Sequence, residues 1–202
     1  MNPITRRWRT WKHSRKFAKI GKGCRFKGEH LEIDGHVEMG DYSRCRDHCV
    51  LRTNGEGKII IGSRSGLSYF CIIEATNLVQ IGDGTGIAEF TVIRDTNHLV
   101  FGTNAHWRFT PQIAKPVIIG NDVLIGSRCY IMPGVTIGDG AVIQAGSLVT
   151  RNVGSYEVWA GSPARKIAHR TENVPAFILR ETEALLKEQG VEQDRRGMIR
   201  NY

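Results

Sequence analysis

No apolar run in this sequence approaches the ~20 residues needed to cross a bilayer, and its basic opening segment lacks the apolar stretch of a secretory signal. Both absences predict a cytoplasmic protein. Proline is sparse, with six in 202 residues, and no two cysteines stand in CxxC spacing. The five cysteines (Cys24, Cys45, Cys49, Cys71 and Cys129) are an odd number. They read as reduced thiols, most of them small fillers of a core. Acid is missing from residues 1–22, which hold Arg6, Arg7, Arg9, Lys12, Arg15, Lys16, Lys19 and Lys22. The other 20 basic residues equal the 20 acidic ones, so the whole net charge of +8 sits on one short arm. The body of the chain is formally neutral, which argues against nucleic acid as a partner.

What the sequence does have is a repeat. Ile61, Leu67 and Ile73, then Ile81, Ile87 and Ile93, then Ile119, Ile125, Ile131, Ile137, Ile143 and Val149 return at every sixth position within each run. Weaker copies stand upstream at Ile20, Ile33 and Met39. A smaller residue recurs four places after the aliphatic one, as at Ser65, Cys71, Thr85, Thr91, Cys129 and Ser147. A period of six fits neither a helix nor an isolated strand. It fits a triangular coil of three short strands joined by tight corners, with the aliphatic residue pointing inward and stability coming from stacked neighbours. Gly-Asp-Gly and Gly-Asn-Asp runs suit the corners. An all-β sandwich with regular turns is the competing fold, but sandwich strands do not hold a six-residue register through twelve units.

The expected organisation is therefore all-β. A basic arm spans residues 1–19, a β-helix residues 20–167 with an inserted loop over 99–116, and a C-terminal helix and tail residues 168–202. Pro175 suits the first turn of that helix, Phe177, Ile178, Ala184 and Leu185 form its apolar stripe, and Gly190 stops it. A long insertion in a strict solenoid points to function.

Three motifs carry a family resemblance: IGDGTGIAEFTVIRDTNH (81–98), VIIGNDVLIGSRCYIMPGVTIGDGAVIQAGSLVTRNV (117–153) and AGSPARKI (160–167). The stretch from Ile81 to Ile167 resembles the maltose, galactoside and lipopolysaccharide O-acetyltransferases of the hexapeptide-repeat superfamily. The resemblance implies a left-handed parallel β-helix, a homotrimer with sites in the grooves between subunits, acetyl-CoA along the later coils, and His98 as general base. It implies that acetyl passes from acetyl-CoA to a sugar or glycan hydroxyl, as in polysaccharide biosynthesis, with no metal required. Leu124 stands where many relatives have Trp, and Leu99 follows His98 where many sugar acetyltransferases have Pro. The acceptor stays open among surface glycans, small sugars, nodulation-type oligosaccharides and antibiotics.

The residues support this chemistry independently. A hydroxyl is a poor nucleophile toward a thioester, and a neutral imidazole suits removal of its proton. No nucleophile stands in a His-paired motif, so direct attack is simpler than a covalent acyl-enzyme. A lone His is more often structural, and it is the motif that raises His98 above that reading. Asp95, Glu89 or a backbone carbonyl would orient its ring. The corner at Gly126 and Ser127 is the candidate oxyanion donor, with Ser127 as a mere turn residue the bland alternative. Arg151, Arg165 and Lys166 lie at or beyond the last coil, where the resemblance places the nucleotide of coenzyme A, and are candidates for its phosphates. Ala145 and Gly146 would leave room for the pantetheine arm, and Pro163 would pack on adenine. His106 and Trp107, with Asp95, line the acceptor pocket, or else the two aromatics anchor the loop.

Two other functions compete. A γ-type carbonic anhydrase shares the fold but needs three His ligands; only His98 and His106 lie near each other in sequence. A non-catalytic scaffold would carry neither the His-bearing motif nor AGSPARKI. The basic arm, with Trp8, Trp11, Phe17 and Ile20 interleaved, either lies on an anionic membrane surface at the inner face of the plasma membrane or caps the first coil.

Overall fold

A computed structural model describes residue 8, residues 11–103 and residues 106–170. The helix expected over 174–190 and the polar tail lie outside the described residues. What is described is a solenoid of about seven turns with very little helix.

The first coil is β1 (Lys19–Ile20), β2 (Arg25–Phe26) and β3 (Glu32–Asp34). The second is β4 (His36–Met39), β5 (Arg44–Cys45) and β6 (Val50–Thr53), and the third β7 (Lys58–Ile61), β8 (Gly66–Leu67) and β9 (Ile72–Ala75). The fourth is β10 (Leu78–Ile81), β11 (Gly86–Ile87) and β12 (Val92–Arg94), after which a hairpin of β13 (Thr96–His98) and β14 (Gln112–Ala114) leaves the body. The fifth coil is β15 (Val117–Ile119), β16 (Leu124–Ile125) and β17 (Tyr130–Ile131), and the sixth β18 (Thr136–Ile137), β19 (Val142–Ile143) and β20 (Leu148–Val149). β21 (Glu157–Gly161) begins a seventh coil and turns back as antiparallel β22 (Ala164–His169).

Every third strand pairs in parallel with its predecessor, giving three flat faces in the orders β1-β4-β7-β10-β15-β18, β2-β5-β8-β11-β16-β19-β21-β22 and β3-β6-β9-β12-β17-β20. The register places the six-residue aliphatics one above another, as in Leu51, Ile73, Ile93, Ile131 and Val149 on the third face. Phe26 and Cys45 fill the equivalent column of the second face, beneath Leu67 and Ile87. The aliphatic repeat skips these two because neither is aliphatic. All five cysteines are free and buried.

The smaller residue four places on has a task that its size alone does not reveal. Its side chain donates into the orphan carbonyl of the next coil: Ser43 to Gly62 (2.7 Å), Ser65 to Gly82 (2.7 Å) and Thr85 to Gly120 (2.8 Å). At the other corner Cys49 donates to Ser68 (2.8 Å), Cys71 to Ala88 (3.2 Å) and Thr91 to Gly126 (3.0 Å). Thiol and hydroxyl serve alike, since a buried carbonyl left unpaired costs ~1–3 kcal/mol.

The described part of the arm from residue 11 onward caps coil one. Residues 11–14 are helical, and His13 and Phe17 turn inward onto Phe26, with ring centroids 5.7 and 5.5 Å away. His13 is 1 % exposed. Its Nε2–H donates to the Gly28 carbonyl (3.3 Å), while Nδ1 is buried without a partner. Burial therefore holds its pKa below the ordinary 6.5. A lowered histidine pKa means the unfolded chain binds more protons, so the stability carried by neutral His13 is present above pH ~6.5 and lost as pH falls below it. The acid side of the thermal midpoint against pH should accordingly be flatter in His13→Phe than in the parent. Superimposable acid limbs would show that the cap does not sense protonation.

Candidate active site

His98 reaches its place through a departure from the repeat. Ile93 is the last inward residue of coil four, and the chain turns at Asp95 rather than at Leu99. The insertion therefore begins three residues earlier than the expected loop over 99–116, and its stem is β13 against β14 in the register Thr96↔Ala114, Asn97↔Ile113, His98↔Gln112. His98 stands on this stem, not on the last repeat strand. The base of the hairpin is closed by Lys115 N–H donating to the Asp95 carbonyl (2.7 Å) and Leu99 N–H to the Pro111 carbonyl (2.9 Å).

The register sets the Gln112 side chain against His98. The amide Nε2 lies 2.9 Å from the imidazole Nε2. With the amide nitrogen donating, Nε2 of His98 is the unprotonated nitrogen and Nδ1 carries the proton. The Trp107 ring meets the imidazole edge-on with centroids 5.6 Å apart. A polar cleft of about 160 Å³ opens here, lined by His98, Gln112, Asn54, Thr76, Glu74 and Arg94 among others. Glu74 and Arg94 of its lining belong to a charge ladder across coils one to four. Arg52 pairs with Glu32 and, at 3.2 Å, with Glu74, and Arg94 Nε stands 2.8 Å from Glu74.

Asp95 does not line the cleft. It is fully buried at 0 % exposure. Its Oδ1 accepts from Thr76 N–H (2.9 Å) and the Thr96 hydroxyl (2.6 Å), and its Oδ2 from Asn77 N–H (2.7 Å) and Leu78 N–H (2.8 Å). The expected acceptor contact is thus corrected to a carboxylate that builds the wall carrying Thr76. Glu89 is equally occupied, accepting from Ser127 Oγ (2.7 Å) and Ser68 Oγ (3.3 Å). The Ser127 hydroxyl, with help from Glu89's own N–H and Ser68, holds its carboxyl below the usual range. Neither acid reaches His98, and the side chain that does, Gln112, meets Nε2 rather than orienting the ring through Nδ1. His106 accepts from Arg108 N–H through Nδ1 (3.3 Å), capping the short 3-10 turn over Trp107–Phe109, and stacks near Trp107 (6.2 Å).

The Gly126–Ser127 corner divides its tasks. Gly126 N–H donates to Ile143 (2.8 Å) within the ladder, and a Cβ there would stand 2.5 Å from Ala145 N. Gly126 is therefore required by coil stacking, and its N–H is not available to an oxyanion. Ser127 N–H makes no hydrogen bond among the described residues, while its carbonyl accepts from Gly146 N–H (2.8 Å). Ala145 and Gly146 are exposed at the next corner, Gly146 with φ +73° and open space beside its Cα.

Arg151 is exposed just past β20, and Pro163 sits in the turn between β21 and β22. Arg165 pairs across the strands with Ala160 and donates through Nη1 to the Ala164 carbonyl (2.8 Å). Lys166 is not a free cation. Its ammonium pairs with Glu157 (2.7 Å), whose carboxyl is held at about 2 by Lys166 first, then the Trp159 indole N–H and Gly154 N–H. A phosphate would have to compete with that carboxylate for Lys166.

His98 and His106 share Trp107 but do not converge as ligands. Among the described residues the one group of His, Cys and acid side chains close enough for a metal is His30, Asp47 and His48, on coils one and two. Among these residues no helix is long and apolar enough to cross a membrane.

Residues 116–151 match the family model described as the hexapeptide repeat of succinyl-transferase. A chloramphenicol acetyltransferase of Morganella morganii is 50% identical over 72 residues, which cover 36% of this chain and 34% of that one. The chain thus spans about a third of the length of the curated relative it matches. The fold is similar to AntD, an N-acyltransferase from Bacillus cereus solved with dTDP and 3-hydroxybutyryl-CoA, with TM-score 0.69, 23% identity and coverage of 89% and 95% of the two chains. It is also similar to a galactoside acetyltransferase solved with coenzyme A, with TM-score 0.60, 24% identity and coverage of 85% and 74%. The chain carries the hexapeptide repeat and, with it, the left-handed β-helix fold that these transferases share.

Proposed function

We propose that the chain moves an acyl group, acetyl in the first instance, from coenzyme A to a hydroxyl of a sugar or glycan, with His98 as general base. The observation that carries this reading is the donor on His98. Gln112 holds its amide N–H at the Nε2 lone pair from across the hairpin. An acceptor hydroxyl displacing that amide would place its own proton on the same lone pair. As the oxygen attacks the thioester carbonyl, Nε2 takes the proton. The tetrahedral oxyanion is met by Ser127 N–H, and the proton passes from the imidazolium to the departing thiolate of coenzyme A. Such base catalysis contributes roughly 10²–10⁴ in rate. No metal enters this scheme.

We infer that one copy is insufficient. Ser127 and Glu89 lie at one edge of the third face and Asp95, from which the His98 hairpin departs, at the other. β12 (Val92–Arg94) runs between them, and at ~3.3 Å per residue the stretch from Thr91 to Asp95 alone spans about 13 Å. A thioester carbonyl beside Ser127 of one subunit needs a base brought by another. A homotrimer with sites between subunits meets that need. It would also cover the inserted-loop residues Phe101, Trp107 and Phe109, which are exposed in the single chain. Arg151 and Arg165, with Pro163, Ala145 and Gly146, remain the proposed path of coenzyme A along the last coils.

The names of the relatives leave the acceptor atom open between oxygen and nitrogen. The test is to incubate the protein with acetyl-CoA and a panel of sugars, amino sugars and glycans, following thiol release. The expected product is an ester, cleaved by mild alkali. An alkali-stable product would move the acceptor to an amine, and no thiol release above the solvent rate with any acceptor would remove acyl transfer.

A further inference from the structure

We propose that the arm and the end of coil one form a docking surface for an anionic lipid bilayer, with Trp8 and Trp11 as the residues that enter its interface. The two roles open to the arm in the sequence fall on different residues. His13 and Phe17 point into the solenoid and cap it. Lys16 is tied down as well, donating to the Leu31 carbonyl (3.2 Å). Trp8 and Trp11 take no part in the cap and are 53% and 57% exposed. Lys12 lies over the Trp8 ring (5.3 Å) and Arg15 over the Trp11 ring (4.9 Å). Each exposed indole thus carries a cation beside it, the pairing of apolar body and positive charge that a headgroup layer accommodates.

The charge extends beyond the arm. Residues 1–28 hold ten basic residues and no acid, Glu29 being the first, while the rest of the chain has 18 basic against 20 acidic residues. Of the ten, Lys12, Arg15, Lys16, Lys19, Lys22, Arg25 and Lys27 are described, and all are exposed at or before the first coil. A surface this basic repels a second copy of itself, and two exposed indoles within it are wasted on a purely polar polyanion. An anionic bilayer answers both features, since phosphates meet the cations and the interface takes the rings. Each Lys or Arg brought to such a surface strengthens partition about fivefold. On the acyl-transfer reading, on which the lipid proposal itself does not depend, the His98 cleft beside coil four would stand ~15 Å above the headgroups, at ~4.8 Å per coil. That distance suits a glycan acceptor carried on lipid.

The test uses the full chain and sedimentation with vesicles of phosphatidylcholine containing ~30% phosphatidylserine, at about 0.05 M and 0.5 M salt. The expected result is binding at low salt that falls at least tenfold at high salt, and none to pure phosphatidylcholine. Brominated lipid should quench tryptophan fluorescence of the bound parent. A Trp8→Ala/Trp11→Ala variant, which leaves His13 and Phe17 in place, should bind at least tenfold more weakly and lose that quenching, although Trp107 and Trp159 remain. Lys12→Gln/Arg15→Gln should weaken binding to anionic vesicles by roughly 30-fold. Equal binding by the tryptophan variant, or binding to soluble polyphosphate but not to vesicles, would overturn the proposal in favour of a polyanion site.

Discussion

Replacing His98 by alanine should lower turnover on the order of 10²-fold or more, while coenzyme A affinity and subunit assembly stay at the parent's level. The separation of effects follows from where the side chain sits. His98 is exposed on the hairpin stem, and its side-chain hydrogen bond is to Gln112, which is exposed too. Truncation leaves no buried orphan, since water replaces the lost partner, and the backbone pairing of β13 with β14 does not involve the ring. The loss is therefore chemical rather than structural. Single-turnover transfer from labelled acetyl-CoA separates chemistry from product release. A variant within about threefold of the parent in that assay would take His98 out of the mechanism, because a base contributes far more than that.

The solenoid was legible because its physics is periodic. Every coil must supply an inward residue for each face, so the requirement recurs at fixed intervals and a reader needs only the interval. The signal fades where chemistry other than an aliphatic meets it. Phe26 and Cys45 do the work of Ile on the second face, and a search for Ile, Leu and Val passes over both. The small polar position was visible as a size constraint, yet its hydrogen-bonding role was not. Seeing that Ser65 reaches Gly82 requires knowing which carbonyl the next coil leaves unpaired.

The site was less legible because its members belong to no period. His98 stood out through its motif. Gln112 could not, since it stands fourteen positions after His98 and only the antiparallel register of the hairpin makes them neighbours. Asp95 misled in the opposite direction. An acid three residues before a histidine looks like its partner, but a sharp corner needs an acceptor for the N–H groups of the coil below. A carboxylate fully enclosed by such donors is a structural group whatever its sequence neighbours are. Lys166 shows the same limit, its charge being answered by Glu157 across the terminal hairpin.

Asp95→Ala should then produce the largest loss of stability of any single substitution near the site. The carboxylate accepts three backbone N–H groups and one hydroxyl, none longer than 2.9 Å. Alanine would leave those donors buried without partners, and at about 1–3 kcal/mol for each buried donor left unpaired the four together cost at least about 3–5 kcal/mol. That is a large part of a domain stability of ~5–15 kcal/mol. For a chain of this size the thermal midpoint should fall by roughly 6–20 °C, compared at matched protein concentration because assembly would shift it. Asparagine should rescue little. Its one carbonyl can replace one carboxylate oxygen, but its NH₂ would face the N–H groups served by the other. The damage falls at one interface, because Asp95 belongs to the corner after coil four while Thr76, Asn77 and Leu78 belong to the passage from coil three to coil four. In a solenoid each coil leans only on its neighbours, so hydrogen exchange should quicken first around Thr76–Leu78 and the hairpin base, ahead of the first and last coils. A midpoint within about 2 °C of the parent would mean that water reaches those amides and that the corner is not closed by Asp95.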